Sequence, residues 1–232
     1  MNTVMKGLAL SFLVATYFTV GAAAQVKNDL KRWKLKGQVK TVTEFEYSVK
    51  ADQTEAIKDA LKVKSVCVYN DEGNRVAYTT YSPDGALLSR SVYNYNDSGR
   101  LVDVRRYRGD GGLNVTTTYV YDKLGNEAQE SNYDPSGTLF MTGKGKYDLN
   151  GNRIVFDRYD GNGHLFLKSN VRYDRNGNET EEREYDSHSS LQFTTTYEHG
   201  NYDKNGNWTF KAVYKNDKPR SVYEREIEYA GK

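Results

Sequence analysis

Tyrosine recurs along this 232-residue chain with the regularity of a ruler. Tyr69, Tyr81, Tyr95, Tyr107, Tyr121, Tyr133, Tyr147, Tyr159, Tyr173 and Tyr185 alternate at spacings of 12 and 14, and Tyr202 and Tyr214 follow after one spacing that widens to 17. The period is therefore 26 residues. After most of these tyrosines come four residues that end in Gly, from 70–73 to 203–206, so each unit holds two chain reversals. A repeat architecture constrains every other reading of the chain.

The chemistry of the four residues says what each reversal is. Ser82-Pro83-Asp84-Gly85 and Asp134-Pro135-Ser136-Gly137 place a side-chain acceptor first, Pro with its fixed φ second and Gly fourth. That is the pattern of a type I turn closed by a left-handed Gly, a common hairpin connection with a G1 bulge. Between turns lie segments alternating near 8 and 10 residues, ordinary strand lengths. The spacing predicts an all-β fold: an antiparallel meander of about 14 strands built from double-hairpin repeats. In the longer strands Leu87 shares parity with Tyr93 and Tyr95, Leu139 with Met141 and Tyr147, and Leu165 with Leu167, Val171 and Tyr173. One face is thus a Leu and Tyr stripe. The shorter strands are more polar, and Asn178-Glu179-Thr180-Glu181-Glu182-Arg183-Glu184 has no apolar residue at all. Apolar residues, Tyr included, make up 37% of the chain, against about 45–50% in ordinary domains, so a thin core is expected. A flat meander of this size would extend about 65 Å at about 4.8 Å per strand, so the sheet is expected to twist, curl or fold over to cover its Leu face.

The unit Y-D-x-x-G-N stands intact at 121–126, 147–152, 173–178 and 202–207. It resembles the YD repeat of the Rhs and teneurin superfamily, over roughly Tyr69 to Tyr223. The resemblance is closest to small exported YD-repeat proteins of unknown activity. In that superfamily the repeats form strips of antiparallel sheet that spiral into hollow shells around a toxin or serve as adhesion modules. This chain is far shorter than a shell and lacks a long C-terminal toxin region, so the resemblance implies fold more than function.

Residues 1–24 read as a signal peptide: one Lys, an apolar stretch over 7–20, then Ala22-Ala23-Ala24 as a cleavage site, with the mature chain expected to start at Gln25. No Cys follows to carry a lipid, and the single cysteine, Cys67, cannot form an internal disulfide. Its parity with Val63 and Tyr69 suits a buried structural thiol. The mature chain divides into an N-terminal segment over 25–60, with a first strand and a short loop or helix, and a YD-repeat domain over 61–232. Basic residues 25–36 read as a solvated leader, 51–60 as a loop with a turn or two of helix, and 197–202 as an insertion that makes a bulge. Cations and acids nearly cancel, 33 against 31, so no overall field draws the chain to nucleic acid. No membrane span is expected once the signal is removed.

No metal or cofactor is assigned. Asp148-Leu149-Asn150-Gly151 and Asp174-Arg175-Asn176-Gly177 suggest calcium loops, but an EF-hand puts Gly sixth and Glu twelfth, whereas Gly is fourth here and Tyr159 is twelfth from Asp148. His164, His188 and His199 lie at separate turns, and no Ser or Cys stands with an evident base, so no catalytic residue is assigned. The tyrosine rows carry the functional expectation. Turns alternate between sheet ends, so Tyr95, Tyr121, Tyr147 and Tyr173 line one end as candidate ligand-binding residues, and Tyr81, Tyr107, Tyr133, Tyr159 and Tyr185 line the other. The alternative is that these rings pack on neighbouring turns. The expected function is a non-catalytic exported binding or scaffold module, periplasmic, surface-bound or secreted, with carbohydrate or an envelope protein as partner. Two other readings are a small exported hydrolase using acidic residues on the sheet, and an assembly component pairing through sheet edges. An outer-membrane barrel conflicts with strands as charged as 178–184.

Overall fold

A computed structural model describes residues 28–51 and 53–231. The segment read as a signal peptide lies outside these residues. The elements in chain order are a short helix α1 (Asp29–Arg32) and strands β1 (Val39–Val49), β2 (Lys58–Tyr69), β3 (Arg75–Tyr81), β4 (Leu87–Tyr95), β5 (Leu101–Arg108), β6 (Leu113–Tyr121) and β7 (Glu127–Tyr133). They continue as β8 (Leu139–Tyr147), β9 (Arg153–Asp160), β10 (Leu165–Tyr173), β11 (Glu179–Tyr185), β12 (Leu191–Tyr202), β13 (Trp208–Lys215) and β14 (Lys218–Tyr229). Each strand pairs antiparallel with the next, and β1 also pairs with β14, so the 14 strands close into a barrel. Phe45 on β1 faces Lys64 of β2 on one side and Glu224 of β14 on the other. Closure is how the meander covers its Leu and Tyr face, and it leaves no unpaired edge strand among the described residues. Edge-to-edge assembly near Tyr223 to Tyr229 thereby loses its basis, because β14 is paired on both sides.

The turns have the expected build. At 134–138 the Gly137 N–H donates to the Asp134 carbonyl at 3.0 Å, the Asp134 N–H donates to the Thr138 carbonyl at 3.0 Å, and Gly137 sits at φ +84°. The Asp carboxylates serve the turn itself. In the next unit Asp148 Oδ1 accepts from the Asn150 and Asn152 N–H groups, and Oδ2 accepts from the Asn152 side chain at 2.8 Å. This network explains why the repeat reads Asp at one position and Asn four residues on. At 186–190 Ser189 adopts φ +64° where Gly stands elsewhere.

Three local expectations need correction. Residues 28–36 are no solvated leader: Asn28 caps α1 by accepting from the Lys31 N–H at 3.0 Å, and Asp29 and Leu30 are buried across one end of the barrel. The 51–60 segment holds no helix among its described residues, and β2 already begins at Lys58. The insertion near 197–202 makes no register shift against β13; it lengthens β12 to 12 residues, with Asn201 at φ +50°. The core is thin, as the composition requires. Leu30, Val39, Val42, Cys67 and Tyr69 form one buried cluster under α1, joined by Leu35, Tyr78, Ile227 and Tyr229. Burial pushes the Cys67 thiol up, which keeps it an inert part of that cluster. No helix of the described residues is long and apolar enough to cross a membrane.

Candidate functional site

Four of the ruler tyrosines form a ladder at the end closed by α1. The hydroxyls of Tyr95, Tyr121, Tyr147 and Tyr173 donate to the carbonyls of Arg75, Leu101, Glu127 and Arg153 at 2.9, 2.9, 3.0 and 3.0 Å. Each ring therefore lies inside the barrel and clamps the first residue of the neighbouring strand. That first residue is the one directly after the Y-D-x-x-G-N unit or its variants: Arg75, Leu101, Glu127, Arg153, Glu179 and Trp208. The unit itself builds the turn and hardly varies, whereas the residue following it varies freely and points into the lumen. Parity hides this, because a register shift beside each Tyr moves the short strands out of phase with the long ones.

The helix plugs the same end. Asp29 is 1% exposed. It accepts from the Arg75 N–H at 2.9 Å and lies 2.5 Å from the Tyr95 oxygen, whose single proton it shares with the Arg75 carbonyl, with the guanidinium groups of Arg75 and Arg32 at 3.6 and 3.5 Å. Arg32 also pairs with Glu127 and lies over the Tyr121 ring. Lys34 donates to the Asn150 carbonyl at 3.0 Å, and Lys36 and Asn207 exchange bonds through their main and side chains.

Beneath α1 lies a cavity of about 230 Å3. Its aromatic walls are Tyr147, Tyr173, Tyr197, Trp33 and Trp208. Of the four candidate tyrosines, the structure thus brings Tyr147 and Tyr173 to the cavity and places Tyr95 and Tyr121 against Asp29 and Arg32. The cavity opens where the ladder breaks. One period after Tyr173 stands His199, and the tyrosine of that unit is displaced to Tyr202, where its oxygen lies 3.3 Å from the Asn178 amide and 45% of the residue is exposed. An imidazole in place of a phenol leaves room. The His199 ring meets Trp208 edge-on at 5.2 Å, and the cations of Lys211 and Arg225 lie 5.0 and 3.3 Å from the Trp208 ring centre.

Burial sets the electrostatics. It pushes the Glu127 carboxyl up against the pull of Arg32 and Arg153, and pushes Glu179 up together with nearby Glu182. It lowers Lys211, with like-charged Arg225 adding to the effect, and it pushes the Tyr147 phenol up to about 12. His199 is lowered to about 4 by burial and by Lys211. The folded protein therefore holds His199 neutral while the unfolded chain takes up a proton near pH 6.5, the ordinary value. This share of stability is whole above pH 6.5 and is lost as pH falls toward 4. His199→Gln should flatten the acid side of the stability profile, measured as denaturant midpoints of both proteins through that window.

Neither a protein-family model nor a curated protein sequence matches the chain. Among solved structures it is similar to a porin-like protein from Bacteroides uniformis ATCC 8492, with a TM-score of 0.52 and 12% identity, covering 89% of this chain and 100% of that one. This likeness shows the fold alone. Chains of Tc toxin structures also match: a TcdB2–TccC3–Cdc42 complex, with a TM-score of 0.23 and 14% identity over 78% of this chain and 11% of that one. The Tc holotoxin pore of Photorhabdus luminescens matches with a TM-score of 0.22 and 13% identity, over 80% of this chain and 12% of that one. At those scores the toxin likenesses carry no argument.

Proposed function

We propose that this chain is a non-catalytic exported binding protein of the YD-repeat type, which holds a small ring-bearing ligand in the barrel lumen at the cell envelope. The observation that carries this reading is the aromatic-walled cavity at the ladder break, where Tyr147, Tyr173, Tyr197 and Trp208 converge with a few polar groups. Rings offer stacking faces to a sugar or similar cycle, and the backbone-bonded hydroxyls of Tyr147 and Tyr173 hold those faces in place. The outer wall supports a water-borne barrel. Arg90, Arg105, Lys144 and Arg172 stand exposed there, where a lipid-facing barrel carries an apolar band.

Titration of the protein with a panel of mono- and oligosaccharides, read by tryptophan fluorescence, tests the reading. Tyr147→Phe keeps the ring and should bind normally, at a stability cost of about 0.5–1.5 kcal/mol for the lost hydrogen bond. The double variant Tyr147→Ser/Tyr173→Ser should lose binding while circular dichroism still shows the barrel. A folded double variant with unchanged affinity overturns lumenal binding.

A hydrolase is the second reading, and one observation favours it: Glu127 and Glu179 line the same cavity, and burial raises both. Glu127 is already engaged by Arg32. Turnover of a glycoside that Glu179→Gln abolishes would establish that reading in place of the first.

A further inference from the structure

The cavity lining carries five cations, Arg32, Lys34, Arg153, Lys211 and Arg225, against two carboxylates, Glu127 and Glu179. Three of the cations are accounted for. Arg32 pairs with Glu127, Arg225 with Glu44 at 2.7 Å, and Lys34 donates to the Asn150 carbonyl. Lys211 and Arg153 are different. Among the described residues neither has a hydrogen-bond acceptor or an ion-pair partner. The charged group of each lies beside rings: Lys211 is 4.3 Å from the Tyr223 ring centre and 5.0 Å from that of Trp208, and Arg153 is 4.1 Å from that of Phe156.

A partly buried cation with no acceptor of its own carries a desolvation cost that an acceptor entering the cavity would offset. Of the acids, Lys211 feels Glu44 most, and Glu44 is already paired with Arg225; Glu179 comes next, and its carboxyl feels both Lys211 and Arg153. It forms no ion pair with either, and burial of its carboxyl together with nearby Glu182 pushes that carboxyl up. Neutral His199 adds no charge.

Resting on the lumenal-binding reading above, we infer that the cavity takes a small ring-bearing anion, whose carboxylate or phosphate is met by Lys211 and Arg153 while its ring lies against Tyr147, Tyr173 and Trp208. The cavity's 230 Å3 is below the roughly 300–1,000 Å3 of sites for drug-sized ligands, so one ring with its acidic group is the fitting size. The aromatic rings that now face Lys211 and Arg153 hold these cations in the lumen without neutralising them. An incoming anion therefore need not displace an existing salt bridge.

Calorimetric titration of the protein with glucuronate, glucose 6-phosphate, benzoate and neutral glucose tests this. The carboxylate and phosphate arms tell which acidic group is preferred. At least one of the three anions should bind, glucose should bind at least about tenfold more weakly, and Lys211→Met or Arg153→Met should weaken the anion by about tenfold or more. Lys146→Met, the same charge change at an exposed position on the outer wall, should leave affinity unchanged. Without ligand, Lys211→Met should melt higher than the parent, because an unpaired, partly buried ammonium is gone. Glucose binding as tightly as glucuronate, unaffected by Lys211→Met, overturns the anion and leaves lumenal binding standing. Absence of binding by all three anions overturns the anion whatever the melting temperatures, and the saccharide panel then decides lumenal binding separately.

Discussion

Asp29→Ala should destabilise the protein by about 3–5 kcal/mol, the range for removing one partner of a buried ionic cluster. Asp29 is 1% exposed, takes a hydrogen bond from the Arg75 main chain and shares the Tyr95 hydroxyl proton with the Arg75 carbonyl, with two guanidinium groups beside it. Truncation leaves Arg75 enclosed without its counter-charge and frees α1 from the barrel end. Asp29→Asn keeps an acceptor and the shape, and should cost less. Urea midpoints of the two variants, with Trp33 fluorescence following the plug, check the order. An Asp29→Ala protein as stable as the parent would mean that α1 merely rests on the barrel.

Leu101→Ala should cost about 2–5 kcal/mol, because the side chain is 2% exposed and the barrel ladder around it has little freedom to collapse into the gap. Its carbonyl is held by Tyr121, which pins the main chain in place while the side chain is cut back. Leu149→Ala is the matching control. That leucine stands fully exposed at the tip of its turn, and its loss should change stability by no more than about 0.5 kcal/mol. Guanidinium unfolding of both variants separates the two positions. Equal effects would contradict the inward placement of the residue that follows each repeat unit.

What could be read from the residues was local. Type I turns ending in left-handed Gly are set by four neighbouring side chains, so the positions of Gly85 or Gly137 and the count of 14 strands followed from spacing. Closure was not legible, since it depends on Val42 of β1 finding Ile227 of β14 across nearly the whole chain. Residues 28–36 read as solvated because Lys31, Arg32, Lys34 and Lys36 dominate their composition. Asp29 and Leu30 do the packing, and only tertiary structure supplies their partners. Of the residues that line the candidate cavity, some were visible. Tyr147 and Tyr173 stood out as part of the ruler, but Arg153, Glu179 and Trp208 were obscured by the register shifts that break strand parity. One signal was available: His199 lies one whole period after Tyr173, a position where every earlier unit from Tyr69 onward carries Tyr.

Closure through β1 and β14 also bears on how such a barrel can change in size over generations. Each 26-residue unit adds two strands. Duplicating or deleting a whole unit therefore keeps the strand number even, and the first and last strands remain antiparallel neighbours able to close. Gain of a single strand would bring those two ends together in parallel and break the seam. The chain can thus widen or narrow its lumen in whole units with the turn chemistry untouched, while the residue after each unit alters what the lumen presents.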